Sequence, residues 1–384
     1  MSTLPFPDSA AKELSAQLMS HIIAEIKARD GKISFAHFME LALYAPQLGY
    51  YRNALKKFGR DGDFVTAPEI SPLFSYCLAN QCAQVLHALN GGDIVEFGAG
   101  NGTMAADILK SLKDQNQLPG HYYILELSAF LKSQQFETIQ KKIPECLDRV
   151  VWLNELPEKP INGIVLANEV LDAMPVHQFI YQADIKECGV TVENNQLKSC
   201  VMEKSDPALL EAIKQYEINF NHHYLSEINL YLPGWIKSVS AILARGVVII
   251  LDYGFPRSEY YHVDRSQGTL MCHYRHYAHS DVFFYPGLQD ITAHIDFTAV
   301  ATAAKKNEFQ VGGFTHQAAF LMNSGLLSFL NHAPDEKTRF IQHQQVLQLT
   351  LPSEMGELFK VMALTKKCDM ALLGFQTMNQ VMRL

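Results

Sequence analysis

The sequence lacks the features that mark membrane, secreted and nucleic-acid-binding proteins. It has no uninterrupted apolar run long enough to cross a bilayer, and its N-terminus carries neither the apolar core of a signal peptide nor the Arg-rich pattern of a transit peptide. Clustered Lys and Arg are also missing, and the formal net charge of −8 argues against a nucleic-acid partner. We therefore expect a cytoplasmic protein without membrane insertion, with the mitochondrial matrix as the alternative.

Cysteine is also scarce. The seven cysteines are scattered and form no CxxC pair, which argues against a disulfide framework and a thiolate zinc site. Three histidines in the stretch CHYRHYAH (His273, His276 and His279) match no familiar zinc spacing, so we expect them to line a substrate cleft rather than bind a metal. At 384 residues, the chain is long enough for one large domain with insertions or for two domains.

Short apolar runs rich in β-formers alternate with helical patterns between residues 93 and 170. This alternation predicts a parallel sheet with right-handed crossovers, the doubly wound α/β fold, in which ligands bind beyond the carboxyl ends of the strands. It stops after residue 176 and resumes with a buried strand at 246–254. The further predicted elements are helices at 9–29, 34–43, 207–217, 224–243, 298–305, 316–331 and 336–347, short strands within 178–203, and strand-like runs at 358–364 and 370–375.

The stretch VEFGAGNGT places three glycines between a predicted strand and a predicted helix. Gly98, Gly100 and Gly102 allow the backbone to approach a ligand closely and to aim N–H groups at an anion. The GxGxG spacing lacks the third glycine of the dinucleotide register, so S-adenosylmethionine (SAM), whose anion is a single carboxylate, is favoured over a dinucleotide. Glu126, which ends the next predicted strand, is predicted to accept the ribose hydroxyls. A tight turn and a solvated acid are the alternative.

The strand that follows ends in the stretch ANEVLDAMP. In this fold the loop after that strand faces the methyl group of the cofactor, so Asn168, Glu169 and Asp172 are candidates for the acceptor side. A guanidinium acceptor stays charged, and would need one carboxylate to pair with it and a second to localise its charge. The alternative is that Asn168 caps a helix and that the two acids form its first turn.

Residues 46–72 read as a long loop of Gly, Pro, Tyr and charged residues, which makes them a candidate lid. Within this loop, Thr66 and Glu69 have the spacing of a capping box, a purely structural alternative. Further along, His294 lies in an alternating run typical of a strand, so a core histidine with satisfied hydrogen bonds is the alternative to a catalytic role.

Together these stretches resemble the MidA-like class I SAM-dependent methyltransferases, whose mitochondrial members are complex I assembly factors that methylate a protein arginine. The resemblance spans nearly the whole chain. It is carried by ISFAHFMELALYAPQLGYY, GDFVTAPEISPLF, VEFGAGNGT, YILELS, ANEVLDAMPV, LDYGF, GTLMCHYRH, YPGLQDITAHIDFTAVA and LPSEMGELFKVMALTK.

The resemblance implies a Rossmann-like seven-stranded sheet with a helical N-terminal segment and α+β insertions forming a lid. It divides the chain into an N-terminal helical and lid segment (1–90), a SAM-binding half (91–176), an α+β insertion (177–243) and the remainder of the sheet (244–384) with a lid loop at 255–290. The implied cofactor-binding residues are Glu96, Gly98, Gly100, Gly102 and Glu126, with Gly62, Asp63 and Phe64 beside the methionine end of SAM. From its position in the loop that faces the methyl group, we add Asn168 as a cofactor-binding candidate.

The implied catalytic residues are Glu169 and Asp172, to which we add His294 as a candidate. The expected function is methyl transfer from SAM to an arginine of a protein partner, with a respiratory-complex subunit as one candidate and a homodimer as a possible assembly. The alternatives are a methyltransferase for small molecules, an assembly factor that binds SAM without turnover and, less favoured, a dinucleotide oxidoreductase.

Overall fold

The computed structural model describes residues 4–55, 62–63, 65–216, 218, 223–330 and 335–384. The chain forms two compact units, each built from segments that are distant in sequence. Unit 1 comprises Met1–Phe64, Asp172–Gly234 and Arg257–His294, and unit 2 comprises Val65–Leu171, Trp235–Pro256 and Ile295–Leu384.

The strands and helices are numbered in chain order. The strands are β1 (Lys32–Ser34), β2 (Asp93–Phe97), β3 (Tyr122–Leu125), β4 (Val150–Leu153), β5 (Ile161–Asn168), β6 (His177–Tyr181), β7 (Ile185–Glu193), β8 (Gln196–Val201), β9 (Tyr224–Ile228), β10 (Leu243–Phe255), β11 (Met271–Tyr274), β12 (Tyr277–His279), β13 (Asp290–Thr292), β14 (Ile295–Asp296), β15 (Gln310–His316) and β16 (Phe359–Lys366).

The α-helices are α1 (Ser9–Ala28), α2 (Phe35–Tyr44), α3 (Ala67–Ile70), α4 (Pro72–Leu89), α5 (Thr103–Asp114), α6 (Ala129–Lys142), α7 (Pro207–Gln215), α8 (Leu232–Ile242), α9 (Arg257–Tyr260), α10 (Phe297–Lys306), α11 (Gln317–Asn323), α12 (Leu326–Leu330), α13 (Glu336–Thr350) and α14 (Met355–Leu358). Short 3-10 helices span Pro144–Arg149, Leu373–Phe375 and Val381–Arg383. Within the described ranges, no helix is long and apolar enough to cross a membrane.

Unit 2 is built around the large sheet. Its strands follow the order β15-β16-β10-β5-β2-β3-β4, with the two-residue strand β14 pairing beside β10. The pairs from β10 to β4 are parallel, whereas β16 runs antiparallel to both of its neighbours. This order confirms the expected seven-stranded Rossmann-like sheet. Helices α4 and α5 pack on it through fully buried side chains such as Phe74, Leu78 and Ile108.

Unit 1 gathers the N-terminal helices with later parts of the chain. Its larger sheet has the order β1-β7-β6-β9, with β8 pairing with β7, and its smaller sheet has the order β12-β11-β13. Helix α1 buries Leu18, Ile22 and Ile26, which lie on one face because they are spaced four apart. They join a core that also contains Val190 and Leu197 of the predicted insertion. The N-terminal segment and the predicted insertion therefore share one hydrophobic core.

Two sequence predictions about local structure were wrong, and one strand was not predicted. The helix predicted from residue 224 begins as β9, because its backbone pairs with β6 in register from His177↔Ile228 to Tyr181↔Tyr224. The strand-like run at 370–375 ends in a 3-10 helix. The strand β15 was missed because Gly312 and Gly313 weaken the strand pattern. A Cβ on Gly313 would lie 2.2 Å from the Phe375 ring, so glycine is needed there for packing.

Candidate cofactor and acceptor sites

The glycine loop of unit 2 connects β2 to α5. Gly98, Gly100 and Gly102 all have positive φ, at 61°, 53° and 83°, which L side chains rarely adopt. A Cβ on Gly98 would meet nothing closer than a methyl carbon of Val170 at 3.8 Å, so the backbone is open to a ligand there. At Gly102 the limit is protein packing, because a Cβ would lie 2.8 Å from the Cα of Gln135.

The middle of the glycine loop is held by side chains. Asn101 donates from Nδ2 to Glu69 Oε1 at 2.8 Å, and its Oδ1 accepts from the Thr103 N–H at 3.0 Å. Glu69 also accepts from the Thr66 N–H at 3.3 Å, which forms the predicted capping box at the start of α3. Glu69 therefore joins the helix cap to the loop, so the structural interpretation of this stretch is confirmed and a contact with the candidate site is added to it.

Glu126 follows directly after β3 and is 8% exposed. Its Oε1 accepts from the Ser128 N–H at 2.8 Å and its Oε2 accepts from Gln135 Nε2 at 3.0 Å. Burial raises the pKa of Glu126, against the lowering effect of these hydrogen bonds. A partly desolvated carboxylate that is held in one orientation directly after β3 is suited to accept ribose hydroxyls.

Glu96 lies within β2 and is 1% exposed. Its Oε2 accepts from the Tyr122 O–H at 2.8 Å. Burial raises the pKa of Glu96 to about 7, an effect that the Tyr122 bond opposes and the nearby Glu126 reinforces. The tyrosine contact gives Glu96 a structural role in the sheet, and a role in cofactor binding stays a prediction.

Asn168 is the last residue of β5, and Glu169 begins the turn that follows it. The structure contradicts the alternative in which the acids form the first turn of a helix, because residues 169–176 are turn and coil. Glu169 has φ 51°, an uncommon conformation for a residue with a side chain. It is held there by a bond from its N–H to the Leu251 carbonyl at 2.9 Å, and Asn168 Nδ2 donates to Glu169 Oε1 at 3.2 Å. Such strain is frequent at functional sites.

Three of the buried acids of unit 1, Asp63, Asp172 and Asp290, are 6%, 4% and 3% exposed and influence one another. Tyr50 donates to Asp63 Oδ2 at 2.8 Å, and Tyr51 donates to Asp290 Oδ1 at 2.9 Å. The pKa of Asp290 is raised to about 8, first by burial and then by the charge of Asp172, with a smaller contribution from Asp63. The three carboxyl groups therefore interact electrostatically.

The backbone around these acids comes from segments that are distant in sequence. Asp63 Oδ1 accepts from the Arg275 N–H at 2.8 Å, and the Asp172 carbonyl accepts from the Ala293 N–H at 3.0 Å. Gly62 is buried beside Asp63, whereas the predicted cofactor residue Phe64 lies outside the described residues.

His294 is half-buried in unit 1. Its backbone N–H donates to Thr269 Oγ1 at 3.1 Å, and its Nδ1 lies 3.3 Å from the Thr269 carbonyl oxygen. Because a carbonyl can only accept, this contact requires the proton on Nδ1, which in the neutral ring leaves the lone pair on Nε2. These contacts with Thr269 fit a core histidine with satisfied hydrogen bonds, and a catalytic role for His294 stays a prediction.

The sequence analysis did not identify three residues that interact with the candidate site residues, namely Asp290, Tyr51 and Gln135. Asp290 lies in the same alternating run as His294, and its burial is known only from the structure. Tyr51 belongs to a loop with no predicted structure. Gln135 lies on α6 and is completely buried, which no helical pattern reveals. Within the described ranges, no group of three or more His, Cys, Asp or Glu could hold a metal ion.

Residues 77–315 match the family described as "Putative S-adenosyl-L-methionine-dependent methyltransferase". The chain belongs to this family. Its fold is also that of a Burkholderia thailandensis protein solved with bound S-adenosyl-homocysteine, which is 40% identical with a TM-score of 0.96 over 100% of both chains. These findings confirm the expected family, fold and cofactor, so the chain is a SAM-dependent methyltransferase.

Curated relatives match this methyltransferase at lower identity. The protein arginine methyltransferase NDUFAF7 homolog of Drosophila melanogaster, a mitochondrial protein, is 29% identical over 93% of this chain and 84% of its own length. The human protein arginine methyltransferase NDUFAF7, also mitochondrial, is 27% identical over 90% of this chain and 83% of its own length.

The residues of unit 2 fit the cofactor. The open backbone at Gly98 suits a ligand that approaches the main chain, and the oriented carboxylate of Glu126 suits a diol. The GxGxG loop ends at the N-terminus of α5, a twelve-residue helix whose partial positive charge favours the carboxylate of SAM.

Proposed function

We propose that this methyltransferase transfers a methyl group from SAM to an arginine side chain of a protein. The cofactor residues that we propose are those predicted from the sequence, with Gly98, Gly100 and Gly102 along the methionine end and Glu126 on the ribose. Glu96, Gly62, Asp63 and Phe64 keep the roles in cofactor binding that the resemblance implies, and Asn168 keeps the role predicted from its position after β5.

The observation that carries the arginine assignment is the group of buried acids in unit 1. The pKa of Asp290 is raised to about 8 by burial and by the neighbouring Asp172 and Asp63, so the charges of these carboxyl groups disfavour one another. A guanidinium stays charged at neutral pH and binds carboxylates through two parallel N–H bonds. An anionic acceptor would be repelled by the same acids. The names of the relatives, which are protein arginine methyltransferases, agree with this assignment.

When bound, SAM supplies an electrophilic methyl group on a sulfonium. In the proposed mechanism, Asp172 pairs with the guanidinium and reduces the delocalisation of its charge, while Tyr51 holds Asp290 in place for a second contact. Glu169 keeps the acceptor-side role predicted from sequence. His294 Nε2 takes the proton that the nitrogen loses on methylation, since its Nδ1 is engaged by Thr269. Positioning and electrostatics supply the acceleration.

The test is transfer of labelled methyl from SAM to arginine-containing peptides, to matched lysine peptides and to small carboxylic acids. We expect label in the arginine peptides only, and loss of that label in Glu169→Gln with unchanged affinity for S-adenosyl-homocysteine. Label in the small acids instead would favour the small-molecule alternative. Binding of SAM without label in any polypeptide of a lysate would favour an assembly factor without turnover.

The acceptor protein, the oligomeric state and the cellular location rest on the sequence and the family resemblance. From the family resemblance we propose a respiratory-complex subunit as the acceptor, and a homodimer and a cytoplasmic location stay predictions. The named relatives are mitochondrial. Mass spectrometry of the acceptors that the enzyme labels in a lysate would identify the partner, and light scattering would give the oligomeric state.

A further inference from the structure

Gln135 is a completely buried polar residue on α6 that makes three side-chain hydrogen bonds. Its Nε2 donates to the Gly100 carbonyl at 3.0 Å and to Glu126 Oε2 at 3.0 Å. Its Oε1 accepts from Trp152 Nε1 at 3.0 Å. One side chain therefore joins the glycine loop, the acid after β3 and the strand β4.

The orientation of this amide is determined by its partners. The indole of Trp152 can only donate, whereas the Gly100 carbonyl and the Glu126 carboxylate accept. A flipped amide would place its oxygen against two acceptors and its nitrogen against a donor. Both N–H groups and the oxygen of Gln135 are therefore used in a single arrangement, which leaves the side chain little freedom.

The backbone of Gln135 is placed with similar restriction. A Cβ on Gly102 would lie 2.8 Å from Gln135 Cα and 3.2 Å from its carbonyl oxygen. The start of α5 and the middle of α6 are consequently in close contact at this residue. The two backbones are already in contact at Gly102. A shift of α6 toward α5 would therefore displace the glycine loop.

We propose that Gln135 is the positioning residue that sets the spacing and orientation between the glycine loop and Glu126, and through them the affinity for the nucleoside cofactor. The inference rests on the proposed cofactor roles of that loop and of Glu126. It is independent of the identity of the methyl acceptor, since Gln135 and all of its partners belong to unit 2.

The first experiment measures S-adenosyl-homocysteine binding by calorimetry in Gln135→Met, which keeps the volume and removes the hydrogen bonds. Because a bond to a carboxylate and a bond to a carbonyl are lost, we expect affinity to fall by about tenfold or more. The matched control is Gln81→Met. Gln81 is also completely buried in unit 2, and it accepts from the Gly374 N–H at 2.9 Å and donates to Gln84 at 2.8 Å. This control should lose stability but keep its affinity.

The second experiment uses Gln135→Glu, which is nearly isosteric and, in its protonated form, can still donate to Glu126. A carboxylate at this position would face Glu126 at hydrogen-bonding distance, so the two acids would share one proton. We expect affinity close to that of the unaltered enzyme near pH 6 and at least tenfold weaker near pH 8.5. A residue that only stabilised the fold would shift the melting temperature and leave no such pH dependence.

Two results would overturn the inference. The first is an affinity of Gln135→Met for S-adenosyl-homocysteine within twofold of that of the unaltered enzyme. The second is a ratio between the affinities of Gln135→Glu and the unaltered enzyme that stays constant between pH 6 and pH 8.5. Failure of the cofactor assignment is distinguished by Glu126→Gln. If that variant binds S-adenosyl-homocysteine normally, Glu126 does not bind the ribose, and the proposed cofactor site is wrong before Gln135 is considered.

Discussion

The two units contain buried acids in contrasting surroundings. In unit 2, Glu126 accepts hydrogen bonds at both oxygens from neutral protein donors, Ser128 and Gln135. In unit 1, Asp290 accepts from the Tyr51 hydroxyl at 2.9 Å, and its pKa is raised to about 8 by burial and by the other acids. Burial raises the pKa of both acids, but hydrogen bonds from neutral donors oppose this effect at Glu126, whereas the charges of neighbouring acids add to it at Asp290.

This difference indicates which kind of ligand each environment suits. A carboxylate that is already satisfied by neutral donors needs only weak further contacts, as hydroxyl groups provide. Crowded carboxyl groups gain most from a cation, because the cation removes both the desolvation penalty and the mutual repulsion. The contrast therefore agrees with a nucleoside in unit 2 and a cationic acceptor in unit 1.

The largest expected effect is on turnover in Asp172→Asn. Removing a charge that pairs with the acceptor should lower the rate of arginine methylation by about a hundredfold. Affinity for S-adenosyl-homocysteine should stay within twofold, because Asp172 is proposed to contact the acceptor and not the cofactor. Measurement requires single-turnover assays with labelled SAM and calorimetry. A variant with normal turnover would remove Asp172 from the mechanism.

The next effect is a pH-dependent stabilisation in Asp290→Asn. The pKa of Asp290 in the folded protein is about 8, above its value of 3.8 in an unfolded chain. Its contribution to stability is therefore present at low pH and is lost as the pH rises from about 4 through 8.

The asparagine variant has no carboxyl group at this position and does not lose this stability. The difference in free energy of unfolding between the variant and the unaltered protein should therefore grow with pH. We expect it to reach on the order of 2 kcal/mol near pH 8.5, less than the full shift because neighbouring acids share it. Urea denaturation at pH 5, 7 and 8.5 would measure the trend. A constant difference across this range would mean that Asp290 titrates normally.

Alanine at Gly102 should be more damaging than alanine at Gly98. Both positions have positive φ, which costs about 1 kcal/mol with a side chain, but only Gly102 adds a contact of 2.8 Å with the Gln135 backbone. We expect Gly102→Ala to lose about 2 kcal/mol of stability.

The control is Gly31→Ala, since Gly31 has φ 81° and no atom within 4 Å of its Cβ position. It should lose stability through φ alone and bind S-adenosyl-homocysteine normally. Thermal denaturation and calorimetry distinguish these cases. Equal losses of stability in the three alanine variants would show that the contact with Gln135 does not contribute to the cost at Gly102.

The smallest effect is expected for Thr66→Ala. Loss of the capping box should cost about 1 kcal/mol of stability and leave turnover intact. Glu69→Ala is the informative comparison, because Glu69 also accepts from Asn101 in the glycine loop at 2.8 Å. It should lose a similar stability and also bind S-adenosyl-homocysteine more weakly. If Thr66→Ala weakens binding as much as Glu69→Ala does, the cap itself positions the loop.

Local patterns predicted the central sheet well, because the order of elements and the buried strands are properties of short stretches. The run Ile94–Val95 and the glycines after it identified β2 and its loop, and Glu126 was placed at the end of β3 by spacing alone. The helix predicted from residue 224 was wrong because YLSEI suits both structures until β6 supplies hydrogen bonds. Asp290 and Gln135 were missed because their importance comes from their neighbours in space.

The sequence by itself determined the family, the cofactor and the doubly wound sheet, since glycines, strand ends and long motifs carry that information locally. Only the tertiary structure decided that Asp63, Asp172 and Asp290 share one environment, that Glu169 follows β5 with a positive φ, and that Gln135 ties the glycine loop to Glu126. The physical reason is that burial and charge–charge interaction depend on distances between segments far apart in the chain, which folding alone sets.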